Sequence, residues 1–112
     1  MADRIATTGA AAGTSGGSYR KIMTFLAKAA GNYVFNDTNF SGLGQYLPCP
    51  AIIQVTPGAA GAGIQVSNDN GTTWFGTTVT TTAFNSYFYL DTANTLRLVI
   101  TTNASDVRIF IQ

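Results

Sequence analysis

Two stretches near the C-terminus, Leu96-Arg97-Leu98-Val99-Ile100-Thr101 and Val107-Arg108-Ile109-Phe110-Ile111, place a large aliphatic residue at every second position. A period of two is the signature of an extended chain with one face buried, and no helix sustains it. With Thr102 to Ser105 as the loop, the two stretches pair as a hairpin. Ile100 then faces Val107, Leu98 faces Ile109 and Leu96 faces Ile111, all on one side. The other side carries Arg97 opposite Phe110 and Val99 opposite Arg108. Such a mixture reads either as ordinary exposed strand residues or as a contact face, against the N-terminal arm or another subunit.

The rest of the chain extends this reading. Arg20 to Ala30 alternates Ile22, Thr24 and Leu26 against Met23, Phe25 and Ala27; a short helix ended by Gly31 is the other option, and the missing helical cap favours a strand. Further strands are expected at Asn32 to Phe35, at AIIQV after Pro48-Cys49-Pro50, at Gly63 to Ser67, at Thr72 to Gly76, at TTVTTT, and at YFYL. About eight short strands predict an all-β chain, a single small antiparallel β-sandwich or barrel-like domain over residues 20–112. Residues 1–19 are set apart. TTGAAAGTSGGS has too little side chain to build a core, so an extended N-terminal arm is expected that takes order from a partner.

Composition narrows the functional classes. Charged residues make up 10% of the chain, Glu and His are absent, and the net charge is +1. That gives no electrostatic case for nucleic acid or an anionic membrane. A monomer surface normally carries roughly 25–35% charged residues, so Thr, Asn and Ser, or other subunits, must cover much of this one. Cys49 stands alone, which excludes an intramolecular disulfide and a zinc cluster and predicts a small buried side chain. The N-terminus lacks the apolar run of a signal peptide, and no stretch reaches the ~18–20 apolar residues of a membrane span.

One motif stands out. SNDNGTTW, Ser67 to Trp74, fills every fixed position of S-x-D-x-G-x-T-W. Asp69 is expected to accept hydrogen bonds from turn N–H groups, Gly71 to supply a positive φ, and Trp74 to enter the core or its edge. With Ser67 and Thr73 these residues specify a structural hairpin. The motif resembles the Asp-box of sialidases and other glycan-handling β-propellers. Those proteins repeat the box in several blades of about 40 residues, which 112 residues cannot hold. Their chemistry also needs Glu and an arginine cluster, whereas Arg4, Arg20, Arg97 and Arg108 are scattered here.

Catalysis finds no other foothold. Nucleophilic mechanisms lack a His. Asp37, Asp69 and Asp91 sit in turn-like contexts that predict loop capping, and Asp69 with Asn68 and Asn70 falls short of the six to eight oxygens of a calcium site. TPGAAGAG has no following Lys, which argues against a phosphate loop. No enzyme activity, cofactor or metal is expected. Arg20, Lys21 and Lys28 form a small basic group, either solvated or facing an acidic protein surface. In FNSYFYL, an exposed tyrosine row could stack on sugar rings, or plain alternation could turn Phe88 and Leu90 inward.

In size, composition and layout the chain resembles the small capsid decoration (cement) proteins of tailed bacteriophages. Those are β-rich domains that bind a finished shell, often as trimers, through an N-terminal arm that orders on the capsid. The resemblance implies a virion protein made in the host cytoplasm, with the major capsid protein or other virion subunits as partners and a homo-oligomeric, trimeric state. Arg4, Ile5, Arg20, Lys21, Arg97, Val99, Arg108 and Phe110 are the expected contacts. Another virion part (tail, fibre or head–tail joining protein) fits the same features. A carbohydrate-binding module would need exposed aromatics on one sheet face.

Overall fold

The computed structural model describes residues 19–76 and 79–112. Its strands are β1 (Lys21–Lys28), β2 (Gly31–Val34), β3 (Cys49–Thr56), β4 (Ala62–Val66), β5 (Phe75–Gly76), β6 (Phe84–Leu90), β7 (Leu96–Ile100) and β8 (Ser105–Ile111). They form two four-stranded antiparallel sheets, β1-β8-β3-β6 and β2-β7-β4-β5, packed as a sandwich. Among the described residues the one helical element is a 3-10 turn at Leu43–Tyr46. The all-β expectation holds, and the ambiguous Arg20–Ala30 segment is a strand.

Alternation dictates the core. Ala51, Ile53 and Val55 of β3 and Val107, Ile109 and Ile111 of β8 are fully buried. Leu96, Leu98 and Ile100 of β7 and Ala62 and Ile64 of β4 complete the same cluster from the second sheet. Burying one such Leu, Ile or Val side chain contributes about 1.5–3 kcal/mol, so these stripes hold the two layers together. Cys49 is buried among them, and burial pushes its thiol above its ordinary pKa.

The expected β7–β8 hairpin is not formed. β7 pairs with β2 and β4, β8 pairs with β1 and β3, and the loop between them crosses from one sheet to the other. Thr101 directs the crossing: its N–H donates to the Gly61 carbonyl at 3.1 Å, and its hydroxyl reaches the Ala60 and Gly61 carbonyls at 2.7 and 2.8 Å. These three bonds tie the end of β7 to the β3–β4 connection. The six aliphatic residues are all inward, as expected, but they belong to opposed layers and not to neighbouring strands. A second correction concerns TTVTTT. Thr77 and Thr78 lie outside the described residues, and the remainder makes an isolated bridge, Thr80 with Ala62, and no strand. There the Thr80 hydroxyl accepts from the Thr82 N–H at 3.1 Å, a local bond that competes with sheet pairing.

β1 carries one irregularity. The register slips between Phe25 and Lys28, Ala27 takes φ 53°, and its N–H donates to Asp106 Oδ1 at 2.8 Å. The extra residue of this bulge turns Lys28 to the side of the sheet occupied by Phe25. Phe35 stacks on the fully buried Phe40 with centroids 4.8 Å apart, and Phe25 meets Phe40 edge-on at 5.2 Å.

Candidate functional site

The Asp-box forms the loop of the β4–β5 hairpin, in which Gln65 pairs with Gly76 and Val66 with Phe75. Asp69 Oδ1 accepts from the Thr73 N–H at 2.7 Å and from the Ser67 hydroxyl at 2.8 Å. The Thr73 N–H bond above all holds the Asp69 carboxyl below its ordinary pKa. The buried Ser67 hydroxyl in turn accepts from the Asp69 and Gly71 N–H groups at 3.3 and 2.9 Å. Gly71 has φ 89°, and a side chain there would press on Asn94 and on the Trp74 indole. The Ser67 hydroxyl and the Asp69 carboxylate are thus turned onto the loop itself. Asn70 Oδ1 accepts from the Asn94 N–H at 3.1 Å and the Ser67 N–H donates to the Thr95 carbonyl at 2.9 Å, which ties the motif to the β6–β7 connection. Trp74 departs from expectation. It sits half-buried on the outer face of its sheet, with the Arg97 guanidinium 4.6 Å from its ring and Arg97 Nε donating to Gln65 Oε1 at 2.8 Å.

The outer face of the β1-β8-β3-β6 sheet is a different kind of surface. The registers align Ile22, Phe110, Ile52 and Tyr87 in one row across all four strands. The next row is polar: Thr24, Arg108, Gln54 and Asn85. On the other flank, Pro50 lies beside Tyr89. Tyr87 and Tyr89 are 64% and 62% exposed. Tyr19, where the described chain begins, packs its ring 5.3 Å from that of Phe110. An apolar row of this length, rimmed by polar groups, has the composition of a contact surface: aromatic, arginine-containing and poor in Lys and Glu.

At the β6 edge the sandwich gapes. Opposite β6, the second sheet ends in β5, which is two residues long. An apolar groove of about 320 Å³ opens there, lined among others by Ile64, Val66, Phe75, Phe84, Ser86 and Phe88. Val66 and Phe75 are 42% and 59% exposed.

Of the expected contact residues, Arg4 and Ile5 lie outside the described residues, as does the arm over residues 1–18. Arg108 and Phe110 share the apolar face, but Arg97 and Val99 belong to the other sheet, so these four do not form one face. Arg20 turns to the sheet edge, where Nε donates to the Gln112 carbonyl at 2.9 Å and the guanidinium lies 5.7 Å from the Tyr46 ring. Lys21 is exposed at the start of β1, while Lys28 is folded onto aromatic rings. The basic group therefore does not act as one patch. Sequence reasoning missed Ile22 and Ile52 as members of the face. Each sits at an outward position of a strand that was itself expected, and only the cross-strand register aligns them with Phe110 and Tyr87.

Asp37 and Asp91 cap loops: Asp37 Oδ1 accepts from the Gly42 and Gly44 N–H groups at 3.1 and 2.8 Å, and Asp91 Oδ1 from the Thr92 N–H at 2.6 Å. Among the described residues, no three of His, Cys, Asp or Glu gather as metal ligands. Comparison with protein-family models, with curated proteins and with solved structures finds no match to this chain.

Proposed function

We propose that this protein is a non-enzymatic structural subunit of a virus particle, a decoration protein that binds the assembled capsid and stabilises it. The observation that carries the reading is the apolar row Ile22–Phe110–Ile52–Tyr87, against which Tyr19, the first described residue, packs its ring at Phe110. A sheet face and an adjoining arm that engage one partner reinforce each other, since the second contact forms at high effective concentration. Binding the assembled lattice and not its free subunits stabilises the shell by mass action.

The test is co-sedimentation with shells of a tailed phage that lack the protein, together with amide exchange over residues 2–18. Expected are binding that Ile22→Asp combined with Phe110→Asp abolishes, and protection of residues 2–18 gained only on the shell. Protection already complete in the free protein, or binding indifferent to both substitutions, would sink the reading. A second reading, a carbohydrate-binding module, rests on the exposure of Tyr87 and Tyr89 on one sheet face, with Gln54 and Asn85 in the row next to Tyr87. Glycan affinity in the free protein that disappears in Tyr89→Ala would establish it.

A further inference from the structure

The four sheet edges of the sandwich are not alike. Exposed edges invite pairing with another chain, and proteins blunt them with lysines, bulges or shortness. β1 has Lys21 and Lys28 at its ends and the bulge at Ala27. β2 and β5 are four and two residues long. β6 has none of these defences: Phe84-Asn85-Ser86-Tyr87-Phe88-Tyr89-Leu90 contains no charge, no Pro and no Gly. It is seven residues long, and among the described residues no strand pairs with its far side.

The registers also say which backbone groups are open. The Pro50 carbonyl accepts from the Gln112 N–H, which turns the even-numbered residues of β3 toward β8. By antiparallel alternation the odd ones, Cys49, Ala51, Ile53 and Val55, turn toward β6 and meet Leu90, Phe88, Ser86 and Phe84. The N–H and C=O groups of Asn85, Tyr87 and Tyr89 therefore point outward from the free edge.

We propose that this edge binds β6 of a second copy of the chain, antiparallel about a two-fold axis beside Tyr87. In that register all seven residues overlap. Tyr87 exchanges hydrogen bonds with its own counterpart, and Asn85 with Tyr89 of the partner copy. The side chains favour this occupant. Ser86 of each copy falls opposite the partner copy's Phe88 on the inner face, so a small residue faces a large one and each ring enters the groove that the other copy's Ser86 lines. No charge opposes a like charge, because β6 has none. Val66 and Phe75, exposed at the groove mouth, are covered by the same approach. An isologous contact of this kind closes as a dimer, unlike the trimer that the decoration resemblance implies. It stands whether or not the partner of the outer face is a capsid. If both hold, the two outer faces merge into one broader platform.

Sedimentation velocity of the full chain tests the proposal. The wild type is expected to be a dimer. Tyr87→Pro deletes an N–H that points away from β3, with no strand of the described residues beyond it, and Tyr87→Lys places two like charges across the axis. Each should raise the dissociation constant tenfold or more, with the urea midpoint of the domain measured alongside to show that the fold survives. Tyr87→Cys should form a disulfide with its counterpart, because directly opposed residues of a hydrogen-bonded pair have Cα atoms about 5.5 Å apart. Asn85→Cys alone should not, since its counterpart position is Tyr89. A monomeric or trimeric wild type, or a dimer that both Tyr87 substitutions leave unchanged, would overturn the proposal.

Discussion

The Lys28 ammonium lies 4.3 Å from the ring centroid of Tyr33 and donates to the Asn39 carbonyl at 2.7 Å. Phe40 and Phe25 place their rings 4.7 and 5.5 Å from the same charge. The ring quadrupoles offset part of what the lysine loses in hydration, although burial still pushes its pKa below the ordinary value. Lys28→Met keeps the aliphatic stem and removes the charge, which should destabilise the domain by about 1–2 kcal/mol. Lys21→Met, at the exposed start of β1, should stay within about 0.5 kcal/mol of wild type. Urea midpoints of the two variants decide it.

Lys28 reaches those rings only because of the bulge before it. Ala27 holds φ 53°, a region that costs a residue with a Cβ roughly 1–2 kcal/mol. Ala27→Gly relieves that cost and gives back about 0.4–1 kcal/mol through the freer unfolded chain, so a net gain of about 0.5–1 kcal/mol is expected. Ala27→Val should destabilise, because a β-branched side chain tolerates this conformation least. A lowered midpoint for the Gly variant would mean that contacts of the Ala27 methyl outweigh its backbone strain.

Bulge and crossing loop together explain what could be read from the letters. Period-two alternation names the inward residues, and it named Leu96, Leu98, Ile100, Val107, Ile109 and Ile111 correctly. It is silent on whether two inward stripes are neighbours in one sheet or opponents in two, since both arrangements bury the same side chains. The choice was made by Thr101 bonding to Ala60 and Gly61, a contact across 40 positions of chain. The apolar row on the outer face was hidden for the same reason, because Ile22, Ile52, Tyr87 and Phe110 align only once the strand order is known. Trp74 was misjudged because its partner, Arg97, supplies an exposed alternative to burial. The bonds of Ser67 and Asp69 within the Asp-box turn, by contrast, are legible, because they reach only two to four positions along the chain; the bond that ties Asn70 to the Asn94 N–H, 24 positions away, is not.

That loop gives a pH-dependent prediction. The Thr73 N–H and the Ser67 hydroxyl hold Asp69 below its ordinary value of 3.8. A depressed folded-state pKa means that the contribution is fully present above that ordinary value and is lost as pH falls through the folded one. Stability should therefore drop on acidification in this window, and Asp69→Asn should flatten the part of the profile due to the hairpin. Ser67→Ala should cost about 1–2 kcal/mol at neutral pH, because it leaves the Gly71 N–H without its acceptor. Urea midpoints measured from neutral to acid pH, for wild type and both variants, provide the check.

The outer face of the second sheet offers an optical test. Arg97 covers the Trp74 ring at 4.6 Å and is itself held by Gln65 at 2.8 Å. The guanidinium excludes water from one side of the indole, and a cation over an aromatic face contributes about 0.5–1 kcal/mol at a site of this exposure. Arg97→Ala should move Trp74 emission to longer wavelength and lower stability by about that amount. Gln65→Leu removes the acceptor that orients Arg97 and should produce a smaller shift of the same sign. Trp74 is the chain's single tryptophan, so the signal has no other source. An emission spectrum unchanged in Arg97→Ala would mean that the ring owes its shielding to the Asp-box loop around Gly71.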